Sequence, residues 1–143
     1  MSPEDEVRAA LAVFDRTFAA CDGEALGALF SPDAELLLLY SEPIEGRAAI
    51  ATYWTRFFAT WDGSSWRTEH RIVEVHGDHA WSQAVYSETL VHREEGRRRV
   101  VHGRLVIVLR RDRDGSWLVR LVMNSHLRPA EDIPADAPRV TDS

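Results

Sequence analysis

The 143 residues, 45% hydrophobic and 28% charged, have the make-up of one soluble domain large enough to bury a core. A formal charge of -6, with Arg97 to Arg99 as the one basic run, argues against nucleic-acid partners, whose phosphates need clustered cations. All 17 basic residues are arginine, which excludes Schiff-base lysine chemistry, and the single Cys21 excludes an internal disulfide or a cysteine-rich metal site.

From the N-terminus, Ser2-Pro3-Glu4-Asp5 is a helix start: a hydroxyl cap, proline in the first turn, then acids at the positive end of the dipole. There is no basic segment followed by an apolar one and no apolar run of membrane-spanning length, so a cytoplasmic protein without membrane contact is expected. Val7, Leu11, Phe14 and Phe18 recur on one helical face to about Ala20. Asp22 caps a short second helix with Leu26, Leu29 and Phe30, ended by Pro32, and Ala34 to Tyr40 reads as an apolar strand. Gly46 opens a third helix, with Ile50, Tyr53/Trp54, Phe57/Phe58 and Trp61 at helical spacing and Asp62-Gly63 closing it.

Four strands then follow, over Trp66 to Val75, Ala80 to His92, Arg98 to Arg110 and Ser116 to Leu127, joined by short turns around Gly77, Gly96 and Gly115. Loops this short make consecutive strands antiparallel neighbours. Residues 1 to 128 are therefore read as one domain. Residues 129 to 143, with three prolines and few large apolar side chains, are read as a flexible tail or a segment laid on the surface.

Two registers are open for the meander. If Gly96 and Gly115 each end a three-residue loop, Tyr86 lies opposite Arg104 and Glu88 opposite His102, with Asn124 and His126 across the next pair. Tyr86, Glu88, His102, Arg104, Asn124 and His126 then share one face and converge on a pocket. Against this, Val101, Leu105, Ile107 and Leu109 make the opposite face the more apolar one, and a two-residue turn would exchange partners by one, making Arg104–Glu88 a cross-strand ion pair on an outer or dimer-facing surface. His102 beside Glu88 is the candidate acid/base pair, Tyr86 a proton donor, and Arg104 and Asn124 candidate oxyanion stabilisers. Tyr40, Trp54, Phe58 and Trp66, with Asn124 and His126, are the candidate substrate contacts. His70, His76 and His79 straddle a turn without a metal-ligand pattern, so they are read as exposed turn histidines, and neither a metal nor another cofactor is expected.

The order helix, short helix, strand, helix, long meander, with Leu29-Phe30-Ser31-Pro32-Asp33-Ala34, Glu45-Gly46-Arg47-Ala48-Ala49-Ile50 and Asp114-Gly115-Ser116-Trp117, resembles the SnoaL-like group of the NTF2-like superfamily. The resemblance implies an α+β cone, three N-terminal helices packed on a strongly curved antiparallel sheet. It also implies a small-molecule pocket and a function among isomerases, cyclases including those of polyketide biosynthesis, epoxide hydrolases and non-catalytic modules; a homodimer through the outer face of the meander is expected because Val, Leu and Trp there would otherwise stay wet. The aspartate base of ketosteroid isomerases has no counterpart in Leu36 to Leu39, nor has their second aspartate in Val100 to Arg111. The Asp-Arg-Asp set of limonene-type epoxide hydrolases is echoed only by Glu88 and Arg104. A cofactor-independent cyclase or isomerase of secondary metabolism, working by acid/base catalysis on an apolar oxygenated molecule, is one expectation. A ligand-binding or dimerisation module of the same fold is the other.

Overall fold

A computed structural model describes residues 1 to 138. Helix α1 (Pro3–Ala19) starts as its sequence requires: Ser2 and Asp5 form a reciprocal capping box, and Val7, Leu11, Phe14 and Phe18 are its buried stripe. Helix α2 (Gly23–Gly27) is capped by Asp22, and α3 (Arg47–Thr60) buries Ile50, Trp54 and Phe58. The strands are β1 (Phe30–Leu37), β2 (Ile44–Glu45), β3 (Trp61–Asp62), β4 (Arg67–His76), β5 (His79–His92), β6 (Arg98–Arg111), β7 (Trp117–His126) and β8 (Glu131–Ile133).

They form one sheet in the order β2-β1-β7-β6-β5-β3, with β4 also on β5 and β8 on β6. The fold is the expected α+β cone, helices against a curled sheet. All pairs are antiparallel except β1 with β7. Pro32 does not end α2: α2 stops at Gly27, and Pro32 sits inside β1. In the C-terminal segment, Glu131 to Ile133 pair with Val100 to Arg98 on β6, so this part lies on the sheet. Residues 139 to 143 of the expected tail lie outside the described residues.

The β5–β6 register differs from the pocket-forming expectation by one residue. The turn takes in Arg93, so four residues separate the closing pair, in which the His92 N–H donates to the Arg97 carbonyl at 2.8 Å. Gly96, at φ 72°, takes the left-handed position that this turn requires. Tyr86 therefore faces Gly103, Ser87 faces His102 and Val85 faces Arg104. At β6–β7 the expected turn holds through Leu109–Val119, and a bulge between Val108 and Leu109 then exchanges partners. Arg104 ends opposite Ser125, and Gly103 opposite His126.

Side chains alternate accordingly. Ala84, Tyr86, Glu88, Leu90, Val101, Leu105 and Ile107 are buried beneath the helices. His102, Arg104, Val106 and Val108 belong to the opposite face, with Met123 46% exposed nearby.

Candidate active site

The helices and the inner face of the sheet enclose a cavity of about 290 Å³. Phe14 and Phe18 of α1, Tyr53, Trp54 and Phe57 of α3, and Trp66 line its apolar wall. The rings lock one another: Trp66 lies over Tyr86 at 4.8 Å and Phe18 at 4.2 Å, and Trp54 meets Phe18 edge-on at 5.3 Å. Glu88, Tyr86, Asn124, His126 and Arg99 bring polar groups into this wall.

Glu88 is the group that sets the chemistry. Its residue is only 9% exposed, and Oε1 is buried without a hydrogen-bond partner among the described residues. Burial raises its pKa from 4.5 to about 8, because a carboxylate taken out of water loses its hydration. At neutral pH it is a carboxylic acid with a proton to give.

Tyr86, two residues earlier on the same face of β5, is oriented by Asn124. The Asn124 amide N–H donates to the Tyr86 hydroxyl oxygen at 3.2 Å, while its Oδ1 accepts from the Leu39 N–H at 2.8 Å. The tyrosine oxygen is thereby used as an acceptor, leaving its own proton for a ligand. Burial raises the Tyr86 pKa, the Asn124 bond opposes this, and the Glu88 charge adds to it. Burial followed by Glu88 also raises that of Tyr53. Both phenols remain donors.

Gly103 makes room for this arrangement. A Cβ there would sit 2.4 Å from Tyr86 ring carbons, so the ring occupies the space a side chain on β6 would take.

Of the expected catalytic residues, Tyr86 and Glu88 line the cavity, whereas His102 and Arg104 do not. His102 lies in a shallow outer groove with Arg67, Glu69 and Leu127, and Arg104 is exposed. The four-residue turn accounts for both: the pairings Glu88–His102 and Tyr86–Arg104 do not form. Of the expected substrate contacts, Trp54, Trp66, Asn124 and His126 line the cavity, whereas Tyr40, 99% exposed, stands only at its rim. Phe58 does not line it; it is 4% exposed in the core beside Trp54, and Phe57 faces the cavity in its place.

His70 is not an exposed turn histidine. Its Nε2 lies 2.8 Å from Asp15 Oδ2, and its Nδ1 lies 2.7 Å from Ser82 Oγ. The neutral tautomer that satisfies both donates to Asp15 and accepts from Ser82. Carboxylate, imidazole and hydroxyl follow in the order of a nucleophilic triad, but Ser82 is 0% exposed and no substrate reaches it. The cluster ties α1 to β4 and β5. Asp15 also accepts from the Trp66 indole N–H at 3.0 Å, so it fixes the ring that stacks on Tyr86. Asp15 and His70 are 55 positions apart, and no local motif announces them.

The profile of the SnoaL-like domain matches residues 10 to 119. No curated protein sequence matches the chain. Among solved structures, a ketosteroid isomerase-like protein from Erwinia carotovora atroseptica superposes with a TM-score of 0.81 at 20% identity, over 88% of this chain and 97% of the other. A candidate aromatic ring hydroxylase from Novosphingobium aromaticivorans gives 0.76 at 22% identity, over 92% and 96%. A candidate scytalone dehydratase from the same species gives 0.78 at 15% identity, over 96% and 94%. At these identities the likeness is one of fold.

Proposed function

The chain belongs to the SnoaL-like family, and from that premise we propose that it is a cofactor-independent isomerase or cyclase of secondary metabolism that transfers protons on an apolar, oxygenated small molecule. The observation that carries this reading is the Glu88 carboxyl in an aromatic cavity, its Oε1 buried and without a partner among the described residues. Held as the acid near neutrality, Glu88 delivers its proton to a carbonyl or leaving oxygen, and the carboxylate so formed takes a proton from carbon in the following step. Tyr86 and Tyr53 supply hydrogen bonds to the oxygen on which charge develops, and the aromatic wall keeps water from competing. With Arg104 on the outer face, the Glu88–Arg104 echo of the epoxide-hydrolase set does not form.

The experiment needs no knowledge of the natural substrate. Cyclic ketones incubated with the protein in deuterium oxide should gain deuterium next to the carbonyl. His102→Ala should exchange as fast as the wild type. Binding without exchange for every ketone tried would replace the catalytic reading by the ligand-binding module.

The same reading includes a homodimer. On the outer face of the sheet, Trp81, Val108 and Leu121 form one cross-strand row, and Val106 and Met123 another, an apolar surface suited to a second copy. Light scattering at micromolar concentration should give twice the 16.2 kDa chain mass; a monomer throughout a dilution series would refute this.

A further inference from the structure

Beside the inner cavity lies an open groove of about 650 Å³ lined in part by the C-terminal segment, including Arg128, Pro129, Ala130 and Asp132. Leu39, Tyr40, Arg99 and His126 border both spaces, Tyr40 from the solvent-exposed rim, so a ligand with its ring against Glu88 would place its outer end beside Arg99 and His126. In a chain of formal charge -6, the outer groove gathers Arg99, His126 and Arg128, with Asp132 the acid lining it among the described residues.

Arg99 is held in place. Its guanidinium lies 5.1 Å from the centre of the Trp61 ring. Its Nε donates to Asp132 Oδ1 at 2.7 Å, and one Nη2 hydrogen reaches Oδ2 at 3.5 Å. Nη1 and the other Nη2 hydrogen form a second donor edge that Asp132 does not use. A planar fork of this kind suits a carboxylate.

We infer that the outer groove is an anion subsite and that the ligand is amphipathic, an apolar ring system in the inner cavity bearing a carboxylate that Arg99 takes at the mouth. This rests on the reading of the inner cavity as the ring-binding site and adds the charge of the ligand's outer end. Asp132 orients Arg99 and at the same time repels the incoming acid, which keeps ligand exchange fast.

The test uses 2-naphthylacetate and its methyl ester, with binding followed by quenching of tryptophan fluorescence at low ionic strength. The wild type should bind the acid about tenfold or more tightly than the ester, the order expected of a charge-assisted pair. Arg99→Gln should close the gap between them, and Asp132→Asn should widen it. Ester binding with no preference for the acid, or a preference that survives Arg99→Gln, would overturn the anion subsite and leave the ring site standing. Failure of both compounds to bind would overturn the two together.

Discussion

Replacing Glu88 with glutamine is expected to lower the rate of deuterium exchange by on the order of 100- to 10,000-fold, the usual contribution of a positioned acid or base, while making the protein more stable at pH 8. Both effects follow from one buried carboxyl. The unfolded chain ionises Glu88 near 4.5, but the folded chain holds the proton up to about pH 8. Between those values the folded state binds more protons than the unfolded state, so stability falls as pH rises. Over a gap of this size the loss approaches about 4 to 5 kcal/mol, at roughly 1.36 kcal/mol per pH unit. Glutamine is neutral throughout and escapes it. Thermal melts of the two proteins should nearly coincide at pH 4.5 and separate progressively toward pH 8, with the variant higher by roughly 10 °C or more at this chain size. Parallel pH profiles would mean that Glu88 is ionised in the folded protein.

Gly103→Ala is expected to cost about 1 to 3 kcal/mol, the range for overpacking a well-filled site. The added methyl meets Tyr86 ring carbons and its oxygen at 2.4 to 2.5 Å, and Trp66 stacked on Tyr86 restrains a retreat. The ring must leave its place over β6, and the Asn124–Tyr86 hydrogen bond goes with it. Tyr86→Ala in the same chain should relieve the clash, so the double variant should be more stable than the sum of the single losses predicts. Strict additivity in urea melts would show that the two residues do not oppose each other, and so contradict the register.

That register marks the boundary of what the sequence reveals. The helix starts and the four long strands are legible because each rests on local chemistry: the Ser2 cap, the Asp22 cap, the apolar stripe of α1, and turns with glycine at the left-handed position; the short β2, β3 and β8, and the early end of α2, are set by tertiary pairing. The curled sheet follows from four long strands with short connections. Which face of β6 points inward depends on whether Arg93 belongs to the turn or to the strand. His92 and Arg97 close a four-residue loop, and that one residue sends His102 and Arg104 outside. The opposition of Tyr86 and Gly103 is a signal the sequence does carry, since a glycine within a strand marks a place where something approaches closely. The three-residue turn sets the parity of β7 as far as Leu109–Val119, and a bulge at Arg120 that no residue type announces alters it beyond. On α3, helical spacing selects the pairs Tyr53/Trp54 and Phe57/Phe58 without deciding which member meets the cavity, because adjacent residues stand only about 100° apart around a helix of 3.6 residues per turn. The Asp15–His70–Ser82 cluster depends on the docking of α1 against β4, a tertiary fact.

The central claim is that Glu88 carries a proton at neutral pH, and the most direct measurement is an NMR titration of its side-chain carboxyl carbon, assigned by comparison with Glu88→Gln. The account predicts a single transition with a midpoint near pH 8, where burial places it, and a midpoint near the ordinary 4.5 would contradict it.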